Sequence, residues 1–265
     1  MRPSRSGRLA LGLPFAFVLG FLYLPIAVLI WLSFNASGLP TVWGGFSLKW
    51  YESALRNDDI TGAAVNTVVV AVFATAIATV LGTLFAYGTE RVKRRRGLLD
   101  GAVFVPMVVP DIVLAIALLS FFNLIVVEQW GLELGLWSVV LSHATFAIAF
   151  VAAIVRTRFR DLDFSTIEAS RDLGATEVQT FLRITLPAIL PGVIAGALVA
   201  FTLSVDEFVI AFFTAGGDIT FPIQVYSMIR FGVTPEINAI ATVVVVFSAL
   251  LIVVSLLVRR NKEVL

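Results

Sequence analysis

Long apolar runs separated by short polar breaks organise this chain. Residues 9–34, 62–88, 101–127, 136–155, 192–215 and 236–258 each read as predominantly apolar. A bilayer crossing takes roughly 20 such residues, so the pattern predicts six transmembrane helices in an all-α integral membrane protein. The first run is too long for a secretory signal, whose apolar region spans roughly 7–15 residues. It reads as an uncleaved first span. In the break over residues 35–60, Trp43, Trp50 and Tyr51 mix with charged residues, as suits a membrane–water interface.

Charge placement orients the helices. One face collects 16 basic residues, from the N-terminus, the 89–100 loop, the 156–191 loop and the C-terminal tail, against 3 on the other (Lys49, Arg56, Arg230). Basic loops stay in the cytoplasm, so the expected topology is N-in and C-in. Arg94, Arg95 and Arg96 read as part of that bias, with no nucleic-acid role. Composition agrees: the 265 residues are 59% hydrophobic and 14% charged, well short of the ~25% charge of a soluble domain. With no cysteine and a single histidine, His143, neither a metal site nor a catalytic triad is expected. His143 reads as an interhelical polar residue. No Gly-x-x-x-x-Gly-Lys-Ser/Thr phosphate loop occurs, so ATP is not bound by that route.

The polar stretch 165–187 stands apart from the apolar pattern. Ser165-x-x-Glu168 has the form of a capping box and predicts a short helix to Leu173. Gly174 suits the left-handed residue that ends a helix. Thr176-x-x-Gln179 is a second capping box and predicts a second short helix ending before Pro187. The result is a bent elbow. Among its apolar residues, Ile167, Val178, Phe181, Leu182 and Ile184, some are expected to pack on span ends and others to meet a partner.

Glu168-Ala169-Ser170, three residues, Gly174, nine residues, then Ile184-x-Leu186-Pro187 resembles the EAA motif of bacterial ABC importer permeases. Ser170 in place of the second alanine is the sole departure. Residues 83–258 are similar to the polyamine (spermidine/putrescine) branch of these permeases. The similarity is carried by Val109-Pro110-Asp111-Ile112-Val113, Ser204-Val205-Asp206-Glu207-Phe208 and Tyr226-Ser227-Met228-Ile229. Gly232-Val233-Thr234-Pro235-Glu236-Ile237-Asn238-Ala239 and Phe46-Ser47-Leu48-Lys49-Trp50-Tyr51 add to it.

The resemblance implies a type I importer fold, with a single transmembrane domain over residues 1–265. A five-helix core would cover residues 61–258, with residues 9–34 as an additional span. The elbow would be the coupling helix, with Glu168, Ala169, Ser170, Gly174, Ile184, Leu186 and Pro187 as the ATPase-coupling residues. The implied partners are a second homologous permease, two ATPase subunits that carry the ATP and magnesium, and an external solute-binding protein. The implied location is the bacterial cytoplasmic membrane. Other solutes within the same permease role, or a stand-alone secondary transporter, are the competing readings.

Asp111, Asp206 and Glu207 fall inside the apolar runs, where a carboxylate is costly and usually faces a cavity or a partner. They are candidates for the path of a cationic solute. Asp111 has an alternative reading as the cap of a helix restarting after Pro110. Asp206 and Glu207, on one continuous helix, would point about 100° apart and could not both face the solute.

Overall fold

The computed structural model describes residues 5–39, 42–91, 96–159, 162–231, 235–246 and 250. Several expectations lie outside these residues: Arg2, the basic residues 93–95, residues 232–234, the last part of the sixth run and the basic C-terminal tail.

Among the described residues all regular structure is helical, apart from one bridge between Asn35 and Phe46. In chain order the first helices are α1 (Arg5–Ser33), α2 (Lys49–Arg56), α3 (Asp58–Arg91), α4 (Arg96–Val108) and α5 (Asp111–Phe121). A π turn (Phe122–Val127) leads into the short α6 (Glu128–Trp130), and α7 (Leu136–Phe159) follows. Then come α8 (Phe164–Asp172), α9 (Glu177–Thr180), a second π turn (Phe181–Thr185) and α10 (Leu186–Asp206). The chain continues as α11 (Val209–Thr214), α12 (Phe221–Phe231) and α13 (Pro235–Val246).

Among the described residues, five continuous helical stretches are long and apolar enough to cross a membrane: Pro14–Ser33, Asp58–Glu90, Asp111–Trp130, Leu136–Phe159 and Glu177–Asp206. The described part of the sixth run, Pro235–Val246, is shorter.

Three boundaries differ from the sequence expectation. The third run splits at Val109–Pro110, because Pro110 has no N–H to donate and disfavours a helical residue before it. The fifth run stops at Asp206 and restarts at Val209. The second elbow helix does not end before Pro187; it runs through the π turn straight into α10. A proline removes one helical donor and crowds the preceding turn, and widening that turn into a π bulge lets the helix carry on.

The chain forms two compact units, residues 1–61 with 225–265, and residues 62–224. In the first unit, the Asn35 side chain ties the loop after α1. Its Oδ1 accepts from Ser37 N (3.0 Å) and Gly44 N (2.8 Å), and its Nδ2 donates to Val42 O (2.8 Å). The aromatics read as interfacial close this loop onto α1. Trp43 stacks on Trp31 at 4.9 Å, Trp50 Nε1 donates to Asn35 O at 2.8 Å, and the Tyr51 hydroxyl meets Ser33 Oγ at 2.6 Å. Ser53 on α2 hydrogen-bonds Glu236 on α13.

In the second unit α7 is the central helix. Its Ala147, Val151, Val155 and Phe159 share a core with Ala78 and Ala86 of α3 and Ile189 and Ala200 of α10. Close approach depends on small residues, as it does where membrane helices pack without a hydrophobic driving force. A Cβ placed on Gly82 would stand 2.8 Å from Val151 Cβ. Only glycine fits there.

Candidate functional site

The elbow is a compact hydrogen-bonded turn. Its first helix is capped by Asp163, whose Oδ1 accepts from Ser165 N at 3.0 Å. The Ser165–Glu168 capping box expected from the sequence is not the cap used. Asp163 lies two residues earlier and starts the helix at Phe164, which turns Ser165 from a cap into a capped residue. The Ser165 hydroxyl and amide both bond the ionised Asp163 carboxylate, which holds it below its ordinary carboxyl range.

At the other end of α8, Gly174 adopts φ +83°. Gly174 N donates to Arg171 O (2.9 Å) and Ala175 N to Ser170 O (3.0 Å). That pair of bonds is a Schellman ending, which uses a left-handed residue to satisfy the last carbonyls. Thr176 opens α9 with both halves of its box formed, Gln179 N to Thr176 Oγ1 (3.3 Å) and Thr176 N to Gln179 Oε1 (2.9 Å). Arg171 and Glu177 pair across the bend at 2.9 Å.

The elbow is braced from below. Ser170 and Thr180 are buried and their hydroxyl oxygens are 2.8 Å apart. Tyr87 of α3 packs on Phe181 (4.6 Å between ring centres) and Phe159 (6.2 Å). Glu90 and Arg156, both largely enclosed, approach to 3.7 Å. A hollow of about 150 Å³ beside this brace is lined by Tyr87, Glu90 and Glu168, among others.

Of the apolar elbow residues, Ile167 is buried and Phe181 and Ile184 are half-buried. Leu173, Val178 and Leu182 are 89, 66 and 54% exposed. Glu168, Ala169, Gly174 and Pro187 are exposed and Leu186 is half-buried. Leu173 was not singled out in the sequence, where its place just before Gly174 marked it only as the end of a helix.

The three acidic residues sit at helix breaks rather than inside continuous helices. Asp111 is the exposed first residue of α5, with Pro110 in the cap position. At that position a carboxylate faces the positive end of the helix dipole. Asp206 is the exposed last residue of α10, and Glu207 is extended (φ −72°, ψ 106°). The 100° rule for neighbours on one helix therefore does not apply to them. Glu207 Oε1 accepts from Ile210 N at 3.0 Å and so caps the restarted α11. Helices α5 and α11 pack together, with Ala115 and Ile210 in one buried cluster. The breaks that carry Asp111 and Glu207 thus adjoin two helices that pack together, while the elbow residues form a separate site.

His143 on α7 is buried, and its Nδ1 lies 2.8 Å from Ser204 Oγ on α10. That agrees with its reading as an interhelical polar residue. Its partner had no signal in the sequence beyond standing two residues before Asp206. Among the described residues no cluster of metal-ligating side chains occurs.

Residues 78–262 match the family described as binding-protein-dependent transport system inner membrane component. The chain is 40% identical over 258 residues to the spermidine/putrescine transport system permease protein PotC of Escherichia coli K12, covering 97% of this chain and 96% of that one. It is 43% identical over 229 residues to the putrescine transport system permease protein PotI of the same organism, covering 84 and 81%. Its fold resembles a chain in the crystal structure of a bacterial ABC transporter that imports the acidic polysaccharide alginate. There the TM-score is 0.68 at 17% identity, over 98% of this chain and 99% of that one. The chain belongs to the binding-protein-dependent transport system inner membrane components, as a multi-pass permease subunit of an ABC importer that leaves ATP hydrolysis to another subunit.

Proposed function

We propose that this chain forms half of the translocation path of an importer for spermidine or putrescine. It crosses the membrane six times with both termini in the cytoplasm, and a second homologous permease completes the path. Two ATPase subunits dock on the elbows, and an external binding protein delivers the solute. ATP-driven closure of the ATPases moves the elbows and opens the path to the outside.

Similarity to polyamine permeases along nearly the whole chain carries this reading. The charge asymmetry of 16 against 3 basic residues supports the topology. Asp111 and Glu207, at helix breaks beside the packed helices α5 and α11, supply negative charge where a polyamine cation needs it. The bare Leu173, Val178 and Leu182 form the face of the elbow turned to the ATPase.

Uptake in cells that lack their own polyamine importers, carrying this chain with its partner subunits, tests the reading. Labelled spermidine or putrescine should enter, and inactivating the ATPase subunit should stop it. Uptake that survives ATPase inactivation and collapses with the ion gradient would mark a secondary transporter instead.

A further inference from the structure

Helix α7 holds the broken end of α10 from both sides. The two helices run antiparallel in even register: Gly196 lies against Val151, and eight residues further along each helix Ser204 meets His143. Five residues beyond His143 stands Ser138, opposite which an unbroken α10 would present residue 209. The carbonyl that Ser138 Oγ reaches, at 2.7 Å, belongs instead to Thr214. The register shared with α7 therefore ends at the break after Asp206, and α11 does not continue the line of α10. No proline or glycine stands there to force it.

The break is therefore fixed by its surroundings. Before it, His143 binds Ser204, two residues from Asp206 and three from Glu207. After it, Ser138 binds Thr214, and Phe146 of α7 packs against Ile210, whose N–H the Glu207 carboxylate holds. All three α7 anchors are buried. The imidazole bonds the last turn of α10 directly, at Ser204 Oγ. Among the described residues its Nε2 is enclosed with no hydrogen-bond partner, so Nδ1 makes the side-chain hydrogen bond of the ring.

We propose that His143 is a positioning residue for the acidic break: through Ser204 it sets where α10 stops, and so where the Asp206 and Glu207 carboxylates point. The proposal rests on the path reading given above. A general packing role would be met by any side chain of similar volume; the positioning role needs a hydrogen-bonding atom at the place of Nδ1.

The test uses the complete importer in proteoliposomes, with His143→Leu, Ser204→Ala, their combination and His143→Asn. Asparagine keeps a polar atom near the Nδ1 position. Two quantities are read: KM and maximal rate for ATP-driven spermidine uptake, and hydrogen exchange at the Ile210 amide. His143→Leu and Ser204→Ala should each raise KM by about three- to tenfold, the range a single hydrogen bond commands, and speed exchange at Ile210. The combination should be no worse than either single change, and His143→Asn should stay within about twofold of the parent. Parent-like exchange at Ile210 in both single variants, or effects that multiply in the combination, would overturn the positioning role. Faster exchange with an unchanged KM would instead overturn the assignment of the break to the path, and the proposal's link to transport with it.

Discussion

Ser170 Oγ and Thr180 Oγ1 lie 2.8 Å apart beneath the elbow, joining the helix before the bend to the helix after it. The motif that this segment resembles has alanine where this chain has Ser170, so the bond belongs to the departure from the pattern. Thr180 is fully enclosed. Ser170→Ala removes its hydroxyl's partner and should cost about 1–3 kcal/mol. Pairing that change with Thr180→Val, which removes the second polar group, should recover most of the loss. Thermal unfolding of the purified complex reads both. A double variant that loses the sum of the two singles would show that the hydroxyls act independently.

Gly174→Val should abolish transport while the protein still inserts. A Cβ at this position meets nothing within 4 Å, so the penalty is purely one of backbone conformation at φ +83°. Left-handed geometry costs an ordinary residue roughly 1–2 kcal/mol, and a β-branched one more. Gly174→Asn, which tolerates that geometry better, should fall between. Uptake measured against membrane protein level decides, and parent-level uptake with valine would remove the elbow's bend from the mechanism.

Leu173→Glu and Val178→Glu place charges on the bare apolar face of the elbow. Neither side chain is packed in the chain itself, so thermal stability of the permease should change by no more than about 0.5 kcal/mol. Recovery of the ATPase subunit by affinity purification of the permease should drop sharply, since a charge buried in an interface without a partner is strongly unfavourable. Undiminished recovery would mean that the ATPase docks elsewhere.

Acid should loosen the start of α8 only after most free carboxyls have titrated. Asp163 is held below its ordinary range by the Ser165 hydroxyl and amide. A lowered folded value means the cap's contribution is complete above the unfolded value, near 4, and disappears as pH falls through the lower folded value. Exchange at the Ser165 amide, corrected for its intrinsic pH dependence, should accelerate below about pH 4 in the parent. Asp163→Asn keeps an acceptor and should show no such step; a step in both would point to another titrating group.

The apolar runs were readable as helices because each needs only local information, and Gly174 and the Thr176–Gln179 box marked the bend for the same reason. Ser165 misled because the same residues allow two caps, and Asp163, closer to the start of the turn, takes the role. Pro187 looked like a stop, yet the π turn at Phe181–Thr185 lets the helix pass it. The break at Asp206–Glu207 had no local mark at all. It depends on Ser138, His143 and Phe146, some sixty or more residues away in the chain, and on a glutamate that satisfies a backbone N–H it would not meet in a straight helix. The polar positions were legible as residues; their placement at breaks was not.

The continuity of the elbow with α10 makes the segment Glu177–Asp206 a single rod of 30 residues, about 45 Å long at 1.5 Å per residue. One end carries Val178 and the other carries the acidic break. A rod of that length converts angle into travel: a tilt of roughly 10° at the elbow would displace the far end by about 8 Å. No chain of side-chain rearrangements is then required between the two sites. The widened turn at Phe181–Thr185 lies near the elbow end of this rod, and unbroken helix carries on from it to Asp206.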